Sequence, residues 1–351
     1  MMPSVPVDLS STRRLHVVGV GGPGMSAIAI VLAEMGHDVS GSDIRERPVL
    51  DRVRAAGVRV SVGHDRSLVH GCDAVTWSTA IPSTNIEVDE ARRTEVRSMP
   101  RAGMLASICA MAKSIAVAGT HGKTSTTSML MLVLAEAGLR PSFVIGGDVT
   151  DMGTGAQWTG GEWMVVEADE SDGTHLELPL HGTILTNIDV DHLDHYGSFD
   201  AIVAGFDRYL GQIEGPKVVC ADDERCAALA ARHGAITYGT SPASRYRAVD
   251  VQPTGGSFGF TVELDGVPLG RIALPLRGIH NVRNATAVVA MAHHIGVPFA
   301  AIAAALARFG GVARRFDVRA VDDGITLVDD YAHLPNEIAA DRKSTRLNSS
   351  H

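Results

Sequence analysis

The chain of 351 residues has little cysteine, no cluster of basic residues and no long apolar run. Only Cys72, Cys109, Cys220 and Cys226 occur, and none forms a C-x-x-C pair. In a chain this long they suit reduced thiols better than a disulfide framework. Basic residues are scattered and the formal net charge is −9, so nothing points to a nucleic acid or a membrane surface as partner. No apolar stretch reaches the roughly 18–20 residues that cross a bilayer. The opening MMPSVPVDLSSTRR lacks the apolar core of a signal peptide. Internal repeats are absent. These absences predict a soluble cytoplasmic protein. The hydrophobic fraction of 45% is that of a globular chain, and the length predicts two or three domains.

Strand-like runs alternate with helical patterns. LHVVGV precedes a glycine turn and then MSAIAIVLAEMG, which has helical spacing. DVSGSD and CDAVTWST read as further strands. Such alternation predicts parallel β-α-β units and an α/β fold. The pattern breaks near RAGMLASICAMAKS and restarts at Ser114, which marks a second domain. EWMVVEAD, GTILTNI and PKVVCAD read as strands, and SFGFTVELDGVPLGRIALPL as an antiparallel hairpin. NVRNATAVVAMAHHIG and FAAIAAALARFG read as helices, the first stopped by Gly296. A third segment starts near Val318.

Two glycine loops come directly after strands. Gly19, Gly21 and Gly24 fit G-x-G-x-x-G, with Asp43 near the acidic position of a dinucleotide fingerprint. Glycines let the backbone approach a diphosphate, and a helix N-terminus favours its charge. The motif does not say which diphosphate, because NAD and a UDP-sugar present the same group. A tight turn with no ligand is the plain alternative, and Asp43 alone reads equally as a solvated carboxylate. The second loop, GTHGKT at 119–124, is more specific. Strand, glycines, Lys123 and the Thr124 and Ser125 hydroxyls coincide as in a shortened phosphate loop, with Val117 where the longer motif has glycine. Lys123 can reach β- and γ-phosphates, and the hydroxyls phosphate or Mg²⁺.

Carboxylates and histidines stand after two later strands: Glu167, Asp169, Glu170 and Asp172, then Asp189, Asp191, His192, Asp194 and His195. Ligands gather at the carboxyl ends of parallel strands, so both groups can face the second loop. Glu170 and His192 are the candidates for a hard cation bridging phosphates. A His/Asp hydrolytic metal site from Asp191, His192, Asp194 and His195 is a competing reading, but it leaves the phosphate loop without a task. His181, His293 and His294 read as surface or packed imidazoles.

Seven motifs in order make the chain resemble the Mur ligases of peptidoglycan synthesis. They are GVGGPGMSAIA (19–29), GTHGKTSTT (119–127), EADESD (167–172), TNIDVDHLD (186–194), GIHNVRNA (278–285), GGVARRFD (310–317) and VDDYAHLPNE (328–337). The resemblance runs from about Leu15 to Ala340. It implies a Rossmann-like UDP-sugar domain (1–110), a central ATP-binding domain (111–317) and the start of a third Rossmann-like domain (318–340). UDP-N-acetylmuramate and L-alanine are the implied substrates, and ATP and Mg²⁺ the implied cofactors. Gly119, Thr120, His121, Gly122, Lys123, Thr124 and Ser125 would form the ATP loop. Thr124 and Glu170 would serve Mg²⁺, and His192 a second Mg²⁺. Asn281 and Asn284 would meet the adenine, Arg315 the phosphates and Asp330 the ribose; read plainly, the two asparagines are helix caps and Arg315 a surface ion-pair residue. Gly21, Gly22, Gly24, Met25, Ser26, Ser42 and Asp43 would hold the UDP-sugar.

This sequence departs from the family pattern at Ser125, Leu334 and Asn336. SFDAIVAGFDRYL lacks the lysine that several sister ligases carry, which favours the alanine-adding branch; a muropeptide-recycling ligase is the close alternative, and GPGMS looks less like its first loop. A family-like third domain is longer than the stretch after Val318, and DRKSTRLNSSH (341–351) reads as a foreign tail. Weak ligation by this chain alone is therefore expected. An NAD-dependent oxidoreductase and a non-catalytic nucleotide-binding module are the alternatives from other classes.

Overall fold

The computed structural model describes residues 6–82, 84–171, 173–191, 196–254, 256–313, 317–322, 325–330, 332 and 338. Asp172, His192, Asp194, His195, Arg315, His333, Leu334, Asn336 and residues 341–351, all singled out in the sequence, lie outside that set.

The first lobe runs β1 (Arg14–Val18), α1 (Pro23–Glu34), β2 (Asp38–Asp43), α2 (Val49–Ala55), β3 (Arg59–Val62), β4 (Ala74–Trp77), α3 (Ile86–Arg93) and β5 (Arg97–Pro100). Its five strands are all parallel in the order β3-β2-β1-β4-β5. β1 and β4 are buried nearly end to end, as strands covered on both faces must be. Pro23 opens α1, where a missing N–H costs nothing. Asn85 caps α3 by accepting the Glu87 and Val88 amides. The strand order reverses beside β1, so the glycine loop after β1 opens at the crevice of the sheet.

Helix α4 (Arg101–Cys109) leads into the second lobe. There the chain forms β6 (Lys113–Ala118), α5 (Lys123–Glu136), β7 (Ser142–Val149), β8 (Thr154–Gln157), β9 (Trp163–Glu167), β10 (Gly182–Leu185), α6 (Phe199–Gln212), β11 (Lys217–Cys220), α7 (Glu224–His233), β12 (Ile236–Gly239), β13 (Tyr246–Thr254), β14 (Ser257–Leu264), β15 (Val267–Leu274), α8 (Ile279–His294) and α9 (Phe299–Ala307). The ten strands form one mixed sheet, β15-β14-β13-β12-β11-β10-β6-β9-β7-β8. Its middle is parallel, with antiparallel pairs at both ends. The expected β14–β15 hairpin is present; Asp265 and Gly266 turn it with φ of 50° and 81°. β13, which contains Pro253, extends that hairpin to three strands and was not legible in the sequence.

β6 sits in the centre, parallel to β9 on one side and β10 on the other. The loops after these three strands therefore emerge side by side. Helix α5 is buried on nearly every side although it reads KTSTTSMLMLVLAE. Thr126, Thr127 and Ser128 donate their hydroxyl hydrogens to the carbonyls four residues back, each at 2.8 Å, so buried polarity is met inside the helix. The largest cluster of buried apolar residues takes in side chains of both lobes. A two-stranded antiparallel ribbon, β16 (Asp317–Asp322) and β17 (Ile325–Asp329), contains Val318, where the third segment was expected.

Candidate active site

β6 ends at Ala118 and the chain turns through Gly119 (φ 121°) and Gly122 (φ 80°) into α5. A Cβ on Gly119 would fall 2.8 Å from the Asn187 carbonyl oxygen, so only glycine fits. The segment after β10 braces this loop. Asn187 receives the Thr120 amide on its carbonyl (3.1 Å) and the His121 amide on its side-chain oxygen (2.9 Å). Thr186 and the Asn187 amide group both donate to the His121 carbonyl. The Asp189 amide donates to the Thr120 hydroxyl at 2.9 Å, and the His121 ring lies 3.1 Å from the Asp189 carboxylate. His121, expected to touch ATP, thus has a structural partner across the loop.

Lys123 opens α5 and folds its ammonium back into the loop. It donates to the Gly119 carbonyl at 2.7 Å, the Thr120 carbonyl at 3.2 Å and both Glu170 oxygens at 2.8 Å. Glu170 is only 2% exposed, and burial raises its carboxyl above the ordinary value although the Lys123 charge opposes this. The Thr124 hydroxyl goes elsewhere. It donates to Glu167 Oε1 at 3.1 Å, while Glu167 Oε2 accepts the Gly146 amide at 2.9 Å. Glu167 ends β9 directly opposite Val117 of β6. The motif resemblance assigns Thr124 and Glu170 jointly to a cation. In the structure Glu170 faces the lysine and Glu167 faces the hydroxyl. Strand register is the physical reason: the last residue of β9 lies beside β6, and three residues further the chain has turned under the loop.

Ser125 is half-buried on the first turn of α5. A Cβ on Gly122 would lie 3.0 Å from Asn284 Oδ1, so the start of α8 packs on the loop. Asn281 donates to the Arg277 carbonyl at 2.7 Å, and Asn284 donates to Asn281 at 3.4 Å. Neither side chain caps the helix, whose N-cap is Gly278. Asp330 accepts the Ala332 amide at 3.1 Å. Burial, with Arg283 behind it, holds the His280 ring below its ordinary pKa, and nearby Asp330 opposes this; Asp330 therefore stands near the start of α8. Among the described residues no group of three or more His, Cys, Asp or Glu is arranged to hold a metal ion.

The first glycine loop is held by β2. Gly19 and Val20 donate to the Ser42 carbonyl, Gly21 to Asp43 Oδ2 at 2.8 Å, and Gly22 to the Gly19 carbonyl. Asp43 therefore closes the loop from within. Two residues expected to meet the UDP-sugar do not present their side chains to it. Met25 is packed in the core, at the face of α1 that meets the sheet. The Ser42 hydroxyl points inward and donates to buried Glu87, which also accepts the Asp65 amide and lies beside His16 and His64. Ser26, Gly21 and Gly24 do line a cleft of about 1020 Å³ between the lobes. The cleft runs from this loop past Arg45, Arg52 and Arg101 to Glu167 and Asp169. Burial acts to raise the Asp169 carboxyl, but hydrogen bonds from Ser171, then Lys123 and Arg101, bring it below its usual range. Arg52 spans the cleft in two bonds to Asp148, at 2.7 and 3.2 Å.

Fold and site define a two-lobed α/β protein with a lysine-bearing glycine loop in one lobe and a second glycine loop facing it across a cleft. The model of the Mur ligase family catalytic domain matches residues 14–113, and that of the Mur ligase middle domain residues 117–292. The chain belongs to the Mur ligase family. It is 45% identical over 349 residues to the UDP-N-acetylmuramate–L-alanine ligase of Acidothermus cellulolyticus, covering 97% of this chain and 73% of that protein. A protein of the same name from Pelobacter propionicus is 43% identical over 340 residues, covering 95% of this chain and 74% of that one. The solved UDP-N-acetylmuramate-alanine ligase MurC of Thermotoga maritima superposes with a TM-score of 0.83 at 31% identity, covering 95% of this chain and 77% of that chain. The UDP-N-acetylmuramate:L-alanyl-gamma-D-glutamyl-meso-diaminopimelate ligase of Neisseria meningitides superposes at 0.78 and 27% identity, over 87% of this chain and all of that one.

Proposed function

We propose that the chain is an ATP-dependent ligase that joins L-alanine to the lactyl carboxylate of UDP-N-acetylmuramate, in cytoplasmic synthesis of peptidoglycan precursors. The observation that carries this reading is the cleft: it begins at the first glycine loop and ends at Glu167, the carboxylate bonded to the Thr124 hydroxyl. A sugar nucleotide in the first lobe (1–110) then points its acid at the phosphate loop of the second (111–317). The relatives' names supply the identity of sugar and amino acid.

A carboxylate needs activation before an amine can displace its oxygen. Attack of the lactyl carboxylate on the γ-phosphorus of ATP gives an acyl phosphate and ADP. Attack of the alanine amine on the acyl carbon then expels phosphate. Lys123 leaves Glu170 to meet the β- and γ-phosphates, and the loop amides orient the chain of phosphates. The Thr124 hydroxyl and the Glu167 carboxylate are a hard-oxygen pair suited to Mg²⁺. Mg²⁺ bound there would neutralise charge on the transferring phosphoryl group. Glu170, buried beside Lys123, sets the resting position of the ammonium. The acyl phosphate must be shielded from water, which calls for the two lobes to close on the cleft.

The test is phosphate release with ATP, Mg²⁺, UDP-N-acetylmuramate and each common amino acid in turn, alongside the Mg²⁺ requirement for nucleotide binding. L-alanine should give the strongest release. Glu167→Ala should raise the Mg²⁺ concentration needed for ATP binding at least tenfold. Release driven by another amino acid, or a Mg²⁺ requirement unchanged by Glu167→Ala, would contradict the reading.

A further inference from the structure

The two faces of the first sheet lead to different places. Val17 joins the core that runs into the second lobe, whereas Val18 packs with Val75, Val88 and Ala91 in a separate cluster against α3. On the second-lobe side, Arg52 of α2 donates to Asp148, and Glu34 of α1 accepts the Trp158 amide. A sugar acid that points into the cleft therefore leaves the nucleoside, at the other end of the diphosphate, over the sheet's carboxyl edge toward α3. Asp43 of β2 and Val62 of β3 are partners in register at that edge. Ile44, next in the chain, and Val62 are both large, apolar and exposed. Such a pair beside one placed polar group is what a base needs to lie on.

That polar group is His64, two residues beyond Val62. Its Nδ1 lies 3.2 Å from Glu87 Oε2 and 3.2 Å from the Ser42 hydroxyl oxygen. Ser42 spends its one hydroxyl hydrogen on the same Glu87 oxygen. Glu87 is fully buried, and its carboxyl is held below its ordinary value, so it is an acceptor only. Neither neighbour has a proton to offer, so Nδ1 carries the hydrogen. In the neutral ring Nε2 is then a bare acceptor, because the bond at one nitrogen fixes the state of the other. Among the described residues Nε2 has no hydrogen-bond partner and is not enclosed; the side chain keeps 18% of its surface in solvent.

We infer that His64 selects the base of the sugar nucleotide by accepting the N3–H of uracil, and that Glu87 is the positioning residue that keeps it an acceptor. The inference rests on the sugar-nucleotide reading above and adds to it the choice of base. Uracil offers a donor at N3. Cytosine offers a lone pair there, which meets the Nε2 lone pair and is turned away. The inward turn of Ser42 serves the same end, since its hydrogen goes to Glu87 and none is left for His64 to accept.

Calorimetric titration of the chain with UDP, CDP and ATP at pH 8 tests this. The wild-type chain should bind UDP at least tenfold more tightly than CDP. His64→Phe keeps a ring and removes both nitrogens, so UDP and CDP should come within threefold of each other. Glu87→Gln keeps the size and moves the proton. The Asp65 amide, which donates to Oε1 at 3.0 Å, holds the new amide oxygen there and leaves the NH2 group facing Ser42 and His64. Nδ1 then accepts, the ring hydrogen passes to Nε2, and preference should turn toward CDP. ATP should stay within twofold in both variants. A wild-type chain that binds UDP and CDP alike overturns the inference. So does a preference for UDP that survives either substitution, or a loss of ATP affinity equal to that of UDP, which would mark a packing role only. A wild-type chain that binds ATP but neither pyrimidine diphosphate overturns the sugar-nucleotide reading itself, and the inference with it.

Discussion

Replacing Lys123 with methionine leaves Glu170 buried without its cation. The pair is enclosed, with side-chain exposures of 14% for Lys123 and 3% for Glu170, so solvent screening does little. Breaking such a pair from one side costs about 3–5 kcal/mol. The carboxyl has one escape, which is to take up a proton. From the ordinary value of 4.5, that costs about 3.4 kcal/mol at pH 7, at about 1.36 kcal/mol per pH unit. Protonation therefore caps the loss at about 3.4 kcal/mol at pH 7 and at about 1.4 kcal/mol at pH 5.5. The sign is set by linkage. A carboxyl with a raised folded pKa contributes most below its unfolded value, and that contribution is lost as pH rises. Lys123→Met should thus look progressively less destabilised on acidification. Adding Glu170→Gln removes the buried charge and should return about 2 kcal/mol or more at pH 7, a coupling that a double-mutant cycle isolates. Urea unfolding, followed by the fluorescence of buried Trp163 at the start of β9, measures these terms. A Lys123→Met protein as stable as wild type at pH 7, or a loss that Glu170→Gln does not relieve, refutes the argument.

The geometry carries two other expected outcomes. Gly119→Ala places a Cβ 2.8 Å from the Asn187 carbonyl at a φ of 121°, so it should weaken ATP binding at least tenfold while UDP binding stays within twofold, as calorimetry would show. Glu87→Ala strips the acceptor from the Ser42 hydroxyl and the Asp65 amide, and at about 1–3 kcal/mol per orphaned group should cost about 3 kcal/mol in thermal unfolding at pH 7. Burial alone would raise the Glu87 carboxyl, but the adjacent His16 and hydrogen bonds from Ser42 and the Asp65 amide hold it below its ordinary 4.5, so its stabilisation is lost as pH falls and the deficit of the variant should shrink near pH 4.

Much of the scaffold was legible because the signals were local. Glycine after a strand and before an apolar helix marks a phosphate turn, and both loops formed where that pattern stood. The β14–β15 hairpin announced itself by Asp265-Gly266 between alternating runs. Side-chain direction was another matter. Met25 and Ser42 sit inside motifs that face a ligand, yet packing on the sheet and the Glu87 network turn both inward. Nothing in EADESD distinguishes Glu167 from Glu170. That distinction depends on where β9 stops relative to β6, a non-local register.

The sequence by itself determined the family, the parallel architecture and the positions of both glycine loops, because these depend on short-range spacing of glycines, hydroxyls and apolar residues. Only the tertiary structure decided which carboxylate meets Thr124, which meets Lys123, and that Glu87 gathers Ser42 and His64. Those pairings join residues tens of positions apart, and they are set by how strands align and how the two lobes close on one cleft.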